Sequence, residues 1–229
     1  MRSTTIAALL LTFAVGCEHK SKTAPTGTPE PVGKDPTPSA EVRAPVAADL
    51  AGYTKDLPGS GDKLMARIET PLGTLNCELY GDKAPITVAN FVGLATGKKA
   101  WLNPKTSKVE KGKPYFDGLI FHRVIPGFML QGGDPLGVGR GGPGYQFEDE
   151  LATGFKMGPG ALAMANAGPV TNGSQFFVMQ GSRPDLEEKH TIFGQCKEIE
   201  VINKIAATPT GANDLPNEPV TMKITISKG

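Results

Sequence analysis

From residue 64 onward, apolar and polar positions alternate in short bursts. Leu64, Ala66 and Ile68 alternate with Met65, Arg67 and Glu69; Pro71-Leu72-Gly73 interrupts; Leu75, Cys77 and Leu79 then alternate with Asn76 and Glu78. A period of two on either side of a turn predicts a β-hairpin with one buried face, and places Cys77 on that face. The same period returns over residues 119–125, 161–165, 175–179 and 190–196, and at Val220, Met222, Ile224 and Ile226. Two stretches follow helical spacing instead. Pro85 stands where a first helical residue belongs, with Val88, Phe91, Val92 and Ala95 following before Gly97; Ile199, Ile202, Ile205 and Ala206 make the second. Many short strands between Gly- and Pro-rich turns, with two helices to cover them, predict a mainly β domain, a barrel or a sandwich.

Between the first helix and the next strand, residues 98–114 are Lys-rich and carry the only tryptophan, Trp101. They read as a surface loop, with Trp101 either pinning it to the domain or offering an anchor to a partner.

Composition divides the chain. Arg2 precedes an apolar run from Ile6 to Val15 that is too short to cross a bilayer and reads as a signal sequence. Ala14-Val15-Gly16-Cys17 resembles the lipobox of bacterial lipoproteins, with Ala14 where leucine is favoured. That resemblance implies residues 1–17 as a lipoprotein signal, lipidation of Cys17, and a membrane anchor facing the periplasm or the cell exterior. Residues 18–61 are dense in Pro, Thr, Ala, Gly and Lys and poor in large apolar residues, so they read as a disordered tether. Residues 62–229 hold nearly all the aromatic side chains and suit one globular domain. A net charge of +1, without a basic run interleaved with aromatics, argues against nucleic acid. Cys77 and Cys196 could pair in an exported compartment, or remain two buried thiols.

Several chemical signals fail on context. Gly137-Val138-Gly139-Arg140-Gly141-Gly142 has the spacing of a dinucleotide loop, but no amphipathic helix follows and no Gly-Lys-Ser/Thr triplet ends it. His122 and His190 are the domain's only histidines and show no metal-ligand spacing; Ser174 lies in Asn172-Gly173-Ser174-Gln175, not in G-x-S-x-G. No metal or cofactor is called for, and covalent hydrolysis has no support.

What remains is Phe121-His122-Arg123-Val124-Ile125-Pro126-Gly127-Phe128-Met129-Leu130-Gln131-Gly132-Gly133-Asp134, then Met164-Ala165-Asn166-Ala167-Gly168-Pro169, Asn172-Gly173-Ser174-Gln175-Phe176-Phe177 and Lys189-His190-Thr191-Ile192-Phe193-Gly194. This ordered set resembles the signature blocks of the cyclophilins and extends, with gaps, from about Met65 to Ser227. The resemblance implies an eight-stranded antiparallel barrel capped by two α-helices, and peptidyl-prolyl cis-trans isomerase activity on proline-containing polypeptides, here exported ones. It also implies Arg123 as the catalytic residue and Phe128, Met129, Gln131, Ala165, Asn166, Gln175, Phe177, Leu186 and His190 as the substrate pocket. His122, beside Arg123 on an alternating strand, is expected to face away from the cleft. Where many cyclophilins carry a rim tryptophan, this chain has Pro184-Asp185-Leu186. Asp185 in that place implies weak binding of cyclosporin with catalysis retained.

Overall fold

The computed structural model describes residues 41–229. The expected signal sequence, Cys17 and residues 18–40 of the expected tether lie outside the described residues. In chain order the described part forms α1 (Asp49–Thr54), β1 (Leu64–Thr70), β2 (Gly73–Leu79), α2 (Pro85–Ala95), β3 (Trp101–Asn103), β4 (Lys108–Glu110), β5 (Arg123–Ile125), β6 (Met129–Gly132), β7 (Ala161–Met164), β8 (Phe176–Met179), β9 (Ile192–Cys196), α3 (Ile199–Ala206) and β10 (Lys223–Lys228).

Eight strands make one antiparallel sheet in the order β10-β1-β2-β9-β7-β8-β6-β5. The two ends of that order meet just outside the strands. Ile120 bridges Thr221, Met222 N–H donates to Leu119 O (2.7 Å), and Phe121 N–H donates to Val220 O (3.0 Å). This contact curls the sheet into the barrel that the cyclophilin resemblance implies. Closure also protects backbone groups that an open edge would leave unpaired.

Alternation along the strands assigns the two faces. Val124, Leu130, Leu162, Met164, Phe176, Val178 and Phe193 join the interior core with the hairpin residues Ala66, Ile68, Leu75 and Cys77. Helix α2 adds Val88, Phe91 and Val92 to it, and α3 adds Ile202 and Ile205. Phe91 sits among the rings of Phe116, Phe176 and Phe193, with centroids 5.1–5.5 Å away. Each such buried side chain contributes on the order of 1.5–3 kcal/mol. The residue before α2, Ala84, supplies no capping side chain. Glu150, far along the chain, takes that place by accepting from Ile86 N–H (3.1 Å) and Thr87 N–H (2.8 Å).

Cys77 and Cys196 lie directly opposite each other on β2 and β9 and form a disulfide, which decides between the two alternatives left open above. Residues 98–114 are more ordered than a loop. Strands β3 and β4 pair as a small hairpin, and Trp101 is buried, its Nε1–H donating to Lys113 O (3.2 Å) and its ring standing edge-on to Tyr115. Trp101 therefore pins this segment to the domain.

The expected span of 18–61 for a tether does not hold over residues 41–57, which lie on the domain. Val42 is buried, and Ala44, Leu50, Tyr53 and Leu57 pack against the interior core. Lys99 Nζ donates to Arg43 O (2.7 Å), and Arg43 pairs with Asp49 through two hydrogen bonds. A side chain at Gly93 of α2 would collide with the Tyr53 ring, so the strap and α2 approach through that glycine. Few apolar residues hold the strap, and they are widely spaced. Averaged over a Pro- and Ala-rich stretch they leave a tether-like composition, although each fits a groove built by distant residues.

Candidate active site

The outward face of the same strands carries a second apolar cluster, made of Met129, Met157, Ala161, Ala163, Phe177, Met179 and Ile192. Phe128, Ala165 and Leu186 pack against it from the cleft side, together with Ile125 and Phe155. Strand register explains how residues far apart in sequence meet there. Arg123 pairs with Gln131, Gln131 with Phe177, Phe177 with Ala163, and Ala163 with Ile192, in one row across β5, β6, β8, β7 and β9. With strands about 4.8 Å apart, Arg123 stands two strands from Phe177, on the same face. The next row is Ile125, Met129 and Met179. The barrel is thus apolar on both sides here, and its outer surface offers a socket with a guanidinium beside it.

Polar groups complete the rim. Arg123 is about two-fifths exposed, and its Nε–H donates to Asp214 Oδ2 at 3.3 Å. Gln131 Nε2 donates to Gln175 Oε1 (2.9 Å), and Gln175 Nε2 donates to Gly141 O (2.9 Å). This relay runs along a cleft of about 800 Å³ that Gln131, Arg140, Tyr145, Ala165, Asn166 and Gln175 help to line. The Asn166 side chain turns away and donates to Asp149 Oδ1 (3.1 Å) and Lys189 O (2.8 Å). Its backbone N–H and C=O bond to no other described residue, so a peptide strand can pair with them.

His190 stands edge-on to Phe177, with centroids 5.4 Å apart. Its Nδ1 lies 2.9 Å from Met164 O, an acceptor, so Nδ1 carries the proton. Burial lowers its pKa, only partly opposed by that hydrogen bond, and the ring is neutral near pH 7. His122 lies off the cleft, as its neighbour's orientation predicts. It is buried close to Gly139 with neither ring nitrogen hydrogen-bonded, and burial lowers its pKa as well.

The glycine run that imitates a dinucleotide loop has a local explanation. The buried carboxylate of Asp134 accepts backbone N–H groups from Leu136, Val138, Gly139 and Arg140 at 2.6–3.1 Å. Burial alone would raise its pKa, but these amides hold it below the usual range. A Cβ on Gly141 would overlap the Asp134 carboxylate. The loop therefore wraps an anion of its own and forms one wall of the cleft. Ser174 Oγ is likewise committed, donating to Gly133 O (2.7 Å) and hydrogen-bonded to Tyr115 Oη (2.7 Å).

Sequence reasoning missed three parts of the site. Ile125 and Met179 lie on the outward face, where the period of two that holds Arg123 and Phe177 already puts them. Asp214 comes from a loop 91 residues downstream and leaves no local signal. Arg183 was also missed. Its guanidinium lies 4.9 Å from the Phe128 ring centroid and is held by Asp185 through two hydrogen bonds of 2.8 and 2.7 Å. Asp185 thus ties a cation over the Phe128 ring at the edge of the cluster.

Residues 65–226 match the family described as Cyclophilin type peptidyl-prolyl cis-trans isomerase/CLD. Peptidyl-prolyl cis-trans isomerase A of Mycobacterium tuberculosis is 51% identical over 167 residues, covering 71% of this chain and 91% of that protein. Peptidyl-prolyl cis-trans isomerase B of Streptomyces anulatus is 49% identical over 168 residues, covering 71% and 95%. Among solved structures, a cyclophilin type peptidyl-prolyl cis-trans isomerase of Cryptosporidium parvum, crystallised in the presence of the dipeptide ala-pro, superposes with a TM-score of 0.62 at 34% identity, covering 72% of this chain and 99% of that one. An outer-face apolar cluster, a guanidinium in the same cross-strand row and a matched span of this length agree, and the chain belongs to the cyclophilin-type peptidyl-prolyl cis-trans isomerase family.

Proposed function

We propose that this isomerase turns over X-Pro bonds of exported polypeptides by seating the proline ring in the outer-face socket while Arg123 hydrogen-bonds to the proline nitrogen of the twisted amide. The observation that carries the reading is the row Arg123, Gln131, Phe177, which puts a cationic donor beside the socket on one rigid face.

Rotation about the peptide bond must break amide resonance, a barrier of about 18–20 kcal/mol. In the twisted state the nitrogen regains a lone pair that can accept a hydrogen bond, whereas in either planar form that pair is delocalised. A donor fixed at that nitrogen binds the transition state in preference to both ground states, and each ~1.4 kcal/mol of preference is worth about tenfold in rate. Phe128, Met129, Phe177 and Leu186 hold the ring, with His190 against Phe177. Gln131, Gln175, Ala165 and the free backbone of Asn166 align the flanking peptide. No bond is made or broken, so the site needs no nucleophile.

Replacement of the rim aromatic by Asp185, with Arg183 laid over Phe128, is the basis for proposing weak cyclosporin binding. Export and anchorage through a lipid on Cys17 remain part of the proposal. The Cys77–Cys196 disulfide supports an oxidising compartment, and a Cys17→Ser variant recovered in the soluble fraction tests the anchor. For the mechanism, a protease-coupled assay on a proline peptide compares wild type with Arg123→Ala. A loss of at least about a hundredfold is expected; equal rates overturn the role of Arg123.

A further inference from the structure

The loop after α3 reaches back to the site. Thr208 Oγ1 donates to Ile205 O (2.7 Å), tying the start of the loop to α3. The loop then closes on itself. Asn217 N–H donates to Pro209 O (2.9 Å) and Gly211 N–H to Leu215 O (2.8 Å), Thr210 bridges Pro216, and Pro216 is buried. At the tip, Asn213 and Asp214 both take left-handed backbone conformations, each with φ of 59°. Such a conformation is costly for an L-residue, least so for Asn and Asp. It sets the Asp214 carboxylate 3.3 Å from Nε of Arg123, 91 residues away in sequence.

We infer that Asp214 is a positioning residue for Arg123, holding the guanidinium so that its terminal amino groups face the substrate; this rests on the catalytic role proposed for Arg123. A long arginine side chain has many rotamers to lose, and a donor that wanders cannot favour the transition state. Gln131, the cross-strand partner of Arg123, does not hold it, since its amide is bonded to Gln175. Among the described residues Asp214 is the only hydrogen-bond partner of the Arg123 side chain. It takes Nε and leaves both terminal nitrogens free. Both side chains are more than two-fifths exposed, so solvent screens the pair and it adds little to folding. What it supplies is geometry.

The test uses two substitutions that keep the loop. Asp214→Gly tolerates positive φ but removes the acceptor; Asp214→Asn tolerates it and keeps an acceptor oxygen. In the isomerase assay Asp214→Gly is expected to lower kcat about fivefold with KM nearly unchanged, and Asp214→Asn to restore most of the loss. The Arg123 Nε–H resonance in NMR spectra is expected to shift and exchange faster with solvent in Asp214→Gly. Unchanged kcat in Asp214→Gly overturns the inference, as does an unchanged Nε–H resonance. If Arg123→Ala proves as active as wild type, the catalytic reading beneath it fails instead, which the same assay reports separately.

Discussion

Phe176 and Phe177 are neighbours in β8, both buried, and they serve opposite sides of one sheet. Phe176 points into the barrel among Phe91, Phe116 and Phe121. Phe177 points outward, where Met129, Ala163 and the edge of His190 meet it. The interior is sealed by helices and the disulfide, whereas the outer cluster is sealed only in part, with Phe128, Ala165 and Leu186 half-buried at its edge. The same residue type therefore supports folding on one face and recognition on the other, and the strand period decides which.

Exchanging each ring for alanine tests this contrast most strongly. Phe176→Ala is expected to lower stability by about 3–5 kcal/mol, because the sealed core cannot collapse onto the cavity, while the folded fraction keeps its turnover. Phe177→Ala is expected to lose less stability, since its space opens toward the cleft, and to lower kcat/KM at least about tenfold. Denaturant midpoints and the isomerase assay, run on both variants, read the two effects. Equal profiles for the pair would remove the distinction between the faces.

Strain differs between the regions too. Of the four non-glycine residues with positive φ among the described residues, Val170, Asn213 and Asp214 lie around the site. Val170 is β-branched, more than half exposed and held at φ 62° by the turn whose amide donates to Asp149. Val170→Asn is expected to raise stability by about 1 kcal/mol, because asparagine tolerates the left-handed region. A lower thermal midpoint in that variant would mean that the exposed valine makes a stabilising contact.

The pH response is the smallest expected effect. Burial lowers the pKa of both His122 and His190 below the ordinary 6.5. Just below pH 6.5 the unfolded chain binds more protons than the folded one, so stability is full above that value and falls as pH drops through it. The denaturation midpoint is expected to be lower at pH 5 than at pH 7, with a smaller fall in His122→Asn. A flat midpoint between these values contradicts the burial of two neutral imidazoles.

How much of this was legible in the sequence follows the range of the interactions. Alternation in residues 64–79 and 175–179 foretells both strands and faces, and the blocks around Arg123, Asn166 and Gln175 point to a pocket because they resemble a family as an ordered set. Features set by distant partners left little trace. The Cys77–Cys196 pair depends on the register of β2 against β9, and the strap at residues 41–57 depends on a groove beside α2. Asp214 needs an unusual backbone in a loop of ordinary composition. At Asp185 the substitution was visible, but its meaning was not, because the partner Arg183 acts through Phe128.

Arg123 is proposed to act on the twisted amide rather than on substrate affinity, and exchange NMR of a labelled proline peptide with enzyme separates the two. With Arg123→Ala the peptide is expected to bind with affinity near that of wild type while cis-trans exchange on the enzyme slows by about a hundredfold. Exchange as fast as wild type at equal saturation would contradict the central claim.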